Sequence, residues 1–204
     1  MAAKSQSSKM PPTYDAVAFD GMGVLYKEGD DVVELLIPYL RDHGCTKSNE
    51  FIGEVYTRAS EGQLTSAGLW TTLGAKAASD ETYLASHELN PGMEALLARL
   101  SRHGVPLACL SNDLKEWSRW LRHHLGLEQW VSTWVISGEI GVRKPQPGAY
   151  EALIRACRVS AERIMFIDDR KRNVEAAAKA GLQAVLFDGD VDKLAQTLGV
   201  ALKS

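Results

Sequence analysis

Three acidic residues stand where apolar runs of this sequence end. Asp20 closes the run 14–19, and Asp168 and Asp169 close the run 163–167. Carboxylates gathered in one place repel one another strongly, so the arrangement makes sense if a cation sits among them. Oxygen ligands without His or Cys favour magnesium over zinc. The acids therefore predict a Mg²⁺ site, provided that the fold brings them together.

Three further side chains could act on a substrate beside such a metal. Ser111 and Asn112 follow the apolar run 105–110, and Lys144 lies in the loop sequence GVRKP after the run 134–136. The lysine supplies a positive charge and the serine a hydroxyl donor. A magnesium ion, a lysine and a hydroxyl around a nucleophilic carboxylate suit phosphoryl transfer, in which developing charge must be neutralised.

Alternating strand and helix patterns would position these residues. Five apolar runs predict strands, and the stretches between them carry apolar residues at helical spacing. This alternation predicts an α/β fold, a doubly wound, Rossmann-like parallel sheet covered by helices on both faces. Ligands bind such sheets at the carboxyl ends of the strands, where the polar residues collect. The predicted strands are 14–19, 105–110, 134–136, 163–167 and 183–187, and the predicted helices are 93–103, 114–124, 148–157 and 173–180.

One stretch breaks this alternation. Between residues 28 and 90 the sequence has helical patterns at 32–43, 49–59 and, less cleanly, 64–78, without a convincing strand. A helical insertion after the first strand is typical of a small lid, which excludes water and selects substrates.

The predicted domain organisation follows from this break. Residues 1–12 are predicted to be a disordered tail rather than a signal peptide, since they are polar and lack an apolar segment. Residues 13–27 and 91–204 would form the α/β core, and residues 28–90 a small inserted helical cap.

Composition narrows the classes of partner. The chain has 204 residues. Its net charge of −3 gives no indication of a nucleic-acid surface or a membrane-binding face. The apolar runs are too short to span a bilayer. Three scattered cysteines form no CxxC pair, which favours a reducing, cytoplasmic location. We expect a small-molecule substrate and a monomer or homodimer.

The order of these residues resembles the haloacid dehalogenase (HAD) superfamily of hydrolases. Its first motif is matched by FDGMGVL, which contains Asp20, and its second by LACLSND, which contains Ser111. The third is matched by SGEIGVRKP with Lys144, and the fourth by FIDDRKRNVEAA with Asp168. All four motifs occur in the family's order, and the helical insertion resembles the C1 cap of subfamily I.

The resemblance implies a role for each matched residue. Asp20 would be the nucleophile that forms a covalent aspartyl intermediate, and Lys144 would orient it and offset its charge. Ser111 and Asn112 would bind the transferring group. The metal would be held by Asp20, Asp169 and the backbone carbonyl of Met22, with Asp168 supporting the metal or its waters. Asn173 matches a water-mediated metal contact of some relatives.

Met22 departs from the family pattern. Most phosphatases of the family have a second Asp two positions after the nucleophile, where it acts as general acid and base. Three readings follow: a phosphatase without that Asp, a hydrolase of C–P or C–halogen bonds, or a degenerate member kept for binding. Retention of Asp168 and Asp169 argues against a dehalogenase, which needs no metal. A C–P hydrolase would need a cap lysine for a Schiff base, and Lys47 and Lys76 are its candidates.

Each motif residue also has a plainer explanation when taken alone. Asp20 could form a turn, Ser111 and Asn112 could cap a helix, and Lys144 could be a solvated loop residue. Only their joint occurrence favours the hydrolase interpretation. In the insertion, Arg58 is a candidate anion contact. The aromatic residues Tyr56, Trp70 and Trp117 are predicted to pack in the core.

Overall fold

The structure is a computed structural model that describes residues 14–75 and 77–200. The predicted disordered tail at 1–12 and the Schiff-base candidate Lys76 lie outside the described residues.

The core is a five-stranded, wholly parallel sheet, as the sequence predicts. The strand order is β3-β2-β1-β4-β5, so β1 lies at the centre, between β2 and β4. Each predicted strand is present with small shifts of its ends. The strands are β1 (Ala16–Phe19), β2 (Leu107–Ser111), β3 (Thr133–Ile136), β4 (Ile164–Asp168) and β5 (Gln183–Leu186).

Apolar clusters cover both faces of the sheet. Successive side chains of a strand point to opposite faces, so one strand contributes to both clusters. In β1, Val17 and Phe19 belong to one apolar cluster, and Ala16 and Ala18 belong to the other. β1, β2 and β4 are buried along their whole length, which explains why they are continuous apolar runs in the sequence.

The four helices predicted for the core are present, and further short helices occur that the sequence patterns did not indicate. The core helices are α5 (Met93–Arg102), α6 (Lys115–His124), α7 (Ser137–Ile140), α8 (Pro147–Cys157), α9 (Lys171–Lys179) and α10 (Val191–Thr197). Of these, α7 and α10 were not predicted; α7 spans only four residues, too few to show a helical period.

Residues 28–90, here called the inserted segment, are helical as predicted but divided differently. The predicted helix 32–43 begins with a π-helical stretch, Val32–Leu36, and continues as α1 (Ile37–Asp42). Then come α2 (Asn49–Ser60), α3 (Ser66–Leu73) and the unpredicted α4 (Asp80–Leu84). Gly74, in the left-handed conformation, ends α3, so the predicted helix 64–78 is too long. The division into core and cap stays a prediction.

The inserted segment is joined to the core by an aromatic cluster around Asp80. The Asp80 carboxylate accepts the indole N–H of Trp70 at 2.7 Å and that of Trp117 at 2.9 Å. The ring centroids of Trp70 and Trp117 are 5.4 Å apart, and those of Tyr83 and Trp117 are 4.7 Å apart. Because Trp117 is on α6, this core helix packs directly against the inserted segment.

A second set of contacts joins α2 to the core at Ser60. The Ser137 hydroxyl donates to the Ser60 carbonyl at 2.5 Å, and the Arg143 guanidinium donates to the Ser60 hydroxyl. The inserted segment is thus attached to the core through both α2 and α4.

Two further findings concern the surroundings of the protein. Among the described residues, none of the helices has the length and apolarity needed to cross a membrane. Cys45, Cys109 and Cys157 are free thiols, and the first two are buried.

Candidate active site

The candidate site lies where the strand order reverses. β1 pairs with β2 on one side and with β4 on the other, and in such sheets this reversal leaves a crevice at the carboxyl ends. Asp20 follows β1, Ser111 is the last residue of β2, and Asp168 is the last residue of β4. The topology therefore brings these three residues to one edge of the sheet.

Lys144 lies between two of the carboxylates. Its Nζ is 2.6 Å from Oδ1 of Asp20 and 2.8 Å from Oδ2 of Asp168. All three side chains are more than nine-tenths buried, and the backbone N–H of Gly21 donates a further bond to Asp20 at 2.6 Å. A single ammonium group thus faces two buried carboxylates.

The pKa values of these groups reflect the imbalance of charge. Burial raises the pKa of Asp20 well above its usual value, and the Asp168 charge adds to this effect while the Lys144 charge opposes it. Burial also acts against the charged forms of Lys144 and Asp168. The attraction of Lys144 to both carboxylates, with the hydrogen bonds among the three groups, outweighs this effect. The pKa of Lys144 is consequently raised and that of Asp168 lowered. A bound cation would favour the ionised form of Asp20 that a nucleophile needs.

Asp169 completes the acidic cluster. One carboxylate oxygen from each of Asp20, Asp168 and Asp169 lies within 4.8 Å of the others. Oδ1 of Asp169 is buried and has no hydrogen-bond partner among the described residues. Burial and the charge of Asp168 raise the pKa of Asp169. A buried carboxylate oxygen without a donor is costly unless a ligand binds it, so the cluster fits a cation.

Glycine at position 23 makes room for this carboxylate. A Cβ built there would lie 2.4 Å from Oδ2 of Asp169. Gly23 also has a φ of +77°, a conformation that other residues adopt at a cost. The glycine of the first motif therefore allows the loop after β1 to pass beside Asp169.

Gly21 has a similar role toward Ser111. A Cβ at Gly21 would lie 2.5 Å from the Ser111 hydroxyl oxygen, so a larger residue there would force the Ser111 side chain to shift. Met22, between the two glycines, is buried and lines the cavity beside Asp20. Its thioether offers neither a proton donor nor a base.

The two asparagines hold other site residues in place. The Asn112 carboxamide donates to the Lys144 carbonyl at 2.9 Å and accepts from the Lys144 N–H at 2.8 Å. Asn173 donates to both carboxylate oxygens of Asp168, at 3.0 and 3.1 Å. The Asn112 contacts fix the backbone of Lys144, and binding of the transferring group by Asn112 stays a prediction.

A cavity of about 180 Å³ opens above the acidic cluster, between the core and the inserted segment. Its wall includes Asp20, Ser111, Asn112 and Lys144 from the core. The inserted segment adds Asp30, Asp31, Val32, Gly53, Tyr56 and Thr57, and the loops add Arg143 and Arg170.

Arg143 and Arg170, which line the cavity, were missed in the sequence analysis. Arg143 lies over the Tyr56 ring, with 5.6 Å from its guanidinium carbon to the ring centroid. Arg170 donates to the Gly29 carbonyl at 2.6 Å. The two arginines are adjacent in sequence to Lys144 and Asp169, and that adjacency was the available signal.

Other candidates lie elsewhere. Arg58, the predicted anion contact, is exposed, and it is Arg143 that lines the cavity. Lys47 is also exposed and lies over the Phe51 ring, with its Nζ 5.5 Å from the centroid. The described part of the chain therefore places no Schiff-base lysine from the inserted segment in the cavity wall.

The structure has an α/β fold with an acidic crevice at the carboxyl edge of its parallel sheet, and sequence comparison identifies the family. Residues 14–181 match the model of the haloacid dehalogenase-like hydrolase family. The chain belongs to this family.

Relatives in this family include named phosphatases. A phosphoserine phosphatase from Thermus thermophilus is 34% identical over 103 residues, which cover 50% of this chain and 41% of that protein. A probable phosphoglycolate phosphatase from Pseudomonas putida is 29% identical over 109 residues, which cover 52% of this chain and 43% of that protein. The chain thus spans about half the length of the curated relatives it matches.

Solved structures share the fold. A HAD family enzyme from Bacteroides thetaiotaomicron has a TM-score of 0.75 at 20% identity, covering 89% of this chain and 98% of that one. An L-2-haloacid dehalogenase from Xanthobacter autotrophicus has a TM-score of 0.59 at 21% identity, covering 85% of this chain and 77% of that one. The Bacteroides enzyme has also been solved in complex with magnesium and inorganic phosphate.

Proposed function

We propose that this protein is a Mg²⁺-dependent phosphatase that uses Asp20 as nucleophile on a small phosphorylated metabolite. One observation carries the proposal: carboxylate oxygens of Asp20, Asp168 and Asp169 lie within 4.8 Å of one another, with the Lys144 ammonium bridging the first two. The phosphatases among its relatives support the same reaction class.

The residues present fit a hard divalent cation. All the available donors are oxygens, and Oδ1 of Asp169 is buried without a partner. We assign Asp20, Asp169 and the backbone carbonyl of Met22 as ligands, with Asp168 supporting the ion or its waters. When bound, Mg²⁺ would offset the negative charge that phosphoryl transfer develops.

The chain's own residues would carry the reaction in two steps. Asp20 attacks phosphorus to form an aspartyl phosphate as the ester oxygen leaves, and water then attacks phosphorus to release phosphate and restore Asp20. Lys144 holds Asp20 in place and offsets its charge, while the Ser111 hydroxyl donates to a phosphoryl oxygen. Asn112 fixes the backbone of Lys144.

The size of the cavity favours a small substrate. Its volume of about 180 Å³ is below the roughly 300–1,000 Å³ of pockets that bind drug-sized ligands. The inserted segment forms one wall and would act as the cap that selects the substrate. The proposal includes a reducing, cytoplasmic location, with which the buried free thiols agree, and a monomer or homodimer.

The test is phosphate release from a panel of small phosphate esters, with and without Mg²⁺. We expect Mg²⁺-dependent release by the wild type and its loss in Asp20→Asn. Asp188→Asn is the matched control, because Asp188 also follows a strand but is exposed and away from the cavity. Release that persists in Asp20→Asn would contradict the nucleophile assignment.

The alternatives give different results in the same assay. If wild type is silent and Met22→Asp is active, the machinery is intact but suited to another leaving group. Halide release, or trapping of a Schiff base by borohydride, would identify a C–halogen or C–P hydrolase. Mg²⁺ binding without turnover on any of these substrates would identify a binding protein.

A further inference from the structure

The chemistry of phosphate ester cleavage calls for a proton donor near the leaving group, and Met22 cannot be that donor. Alkoxide leaving groups depart readily only when a positioned acid protonates them, and the water of the second step needs a base. One group in the cavity wall can perform both tasks if it is a carboxyl that exchanges its proton near neutral pH.

Asp31 is a carboxyl in the wall of this cavity. It belongs to the inserted segment, immediately before the π-helical stretch, and it lines the same cavity as Asp20 and Ser111. The residue is only 4% exposed. Among the described residues, no salt bridge within 4.0 Å neutralises it, and its neighbour Asp30 is the one that approaches Arg170, at 3.9 Å.

The Tyr56 hydroxyl connects Asp31 to the strand end that carries Ser111. Its oxygen is 3.2 Å from the carbonyl oxygen of Asn112 and 3.5 Å from Oδ2 of Asp31. One hydroxyl proton cannot serve both acceptors. If Tyr56 donates to Asn112, a protonated Asp31 can donate to Tyr56, so the contact suits the acid form of Asp31.

The surroundings favour a carboxyl that changes protonation near neutral pH. Burial, followed by the charge of Asp30, raises the pKa of Asp31 to about 6. Arg170 and Arg143 act in the opposite direction. The titratable and charged groups that face Asp31 are Asp30, Tyr56, Tyr83, Asp113, Arg143 and Arg170.

We propose that Asp31 is the general acid and base of the reaction, in the role that Met22 cannot fill. This inference rests on the proposed phosphatase function. In the first step Asp31 gives its proton to the ester oxygen as the bond from phosphorus to that oxygen breaks and the bond from Asp20 to phosphorus forms. In the second step the Asp31 carboxylate takes a proton from water as the water oxygen bonds to phosphorus and the bond to Asp20 breaks. Both residues then return to their starting states.

The experiment compares two leaving groups. For p-nitrophenyl phosphate the phenolate leaves without a proton, whereas the best alkyl phosphate of the panel needs one. Because kcat/KM reports the steps up to formation of the aspartyl phosphate, Asp31→Asn should lower it about 10²–10⁴-fold for the alkyl ester and less than about tenfold for the aryl ester. Adding Met22→Asp to that variant should restore kcat/KM more for the alkyl ester than for the aryl ester.

Asp42→Asn is the matched control, since it makes the same change at an exposed position of the inserted segment. It should change kcat/KM for neither ester. A measurement on the wild type alone keeps the test open if Asp31→Asn does not fold. The ratio of alkyl to aryl kcat/KM should fall about tenfold per pH unit once Asp31 is ionised, above pH 6 to 7.

Two results would overturn the assignment. One is an equal loss of kcat/KM for both esters in Asp31→Asn, and the other is an alkyl-to-aryl ratio of kcat/KM that stays constant up to pH 8 in the wild type. Failure of the proposed function gives a different pattern, because the wild type would then release no phosphate or Asp20→Asn would remain active.

Discussion

Replacing Lys144 by methionine tests the electrostatic interpretation of the site most directly. The substitution keeps an unbranched side chain of similar length and removes the Lys144 ammonium, which faces Asp20 and Asp168 at 2.6 and 2.8 Å. Breaking a buried ion pair by removing one partner costs about 3–5 kcal/mol, because the remaining charge stays buried without compensation. A chain of this size loses about 2–4 °C of Tm per kcal/mol, so a decrease of about 6–20 °C follows.

Thermal unfolding of the metal-free protein, followed by circular dichroism, is the assay. Lys193→Met is the matched control, since Lys193 pairs with Asp188 at an exposed site and its loss should change Tm little. We also expect Mg²⁺ to raise the Tm of Lys144→Met by more than it raises that of the wild type, because the cation would offset the two carboxylates. A Lys144→Met protein as stable as the wild type, or one that gains no more from Mg²⁺, would refute the reasoning.

Three further predictions address other parts of the molecule. Gly23→Ala should weaken Mg²⁺ binding about tenfold or more, because the new Cβ would lie 2.4 Å from the Asp169 carboxylate. Calorimetry measures this binding. Gly44 is the control, since it has a similar φ of +78° and nothing within 4 Å of a Cβ, so Gly44→Ala should leave Mg²⁺ binding unchanged. In steady-state assays, Arg143→Lys should raise KM about tenfold with a smaller effect on kcat, because it removes a planar guanidinium from the cavity wall. Arg119 is exposed, so the control Arg119→Lys should alter neither KM nor kcat. Burial lowers the pKa of His87 from 6.5 to about 4, so the unfolded chain takes up a proton there before the folded protein does, and stability is lost as pH falls from 6.5 toward 4. Urea titrations should show a loss of about 2 kcal/mol between pH 7 and pH 5 that is absent in His87→Phe, and equal losses in both proteins would contradict the assignment.

The core of the site could be predicted from the sequence because it depends on local patterns. β1 and β4 are short, continuous apolar runs, and a parallel topology brings their carboxyl ends together whatever the details of helix packing. Asp20 and Asp168 therefore fall at the same edge of the sheet. The family's motif order then adds Lys144, which lies in a loop and has no strand pattern of its own.

The outer wall of the cavity could not be predicted in this way. Asp31 and Tyr56 reach the cavity only because the inserted segment docks on the core, and that docking depends on tertiary contacts such as those of Asp80 and Ser60. Asn112 illustrates a related limit. The sequence identifies a carboxamide at the strand end, but its partner, the Lys144 backbone, is 32 residues away in the chain.

The Asp80 junction has a consequence for exchanging parts between relatives. The Asp80 carboxylate accepts one indole N–H from Trp70 of the inserted segment and one from Trp117 of the core. Both rings belong to the same apolar cluster as Val17 and Phe19 of β1. A chimera that receives this insertion without a tryptophan at the position of Trp117 would leave Asp80 with one donor fewer and a gap against α6. Transplanting the substrate-selecting part of this protein therefore requires moving a residue that lies outside it.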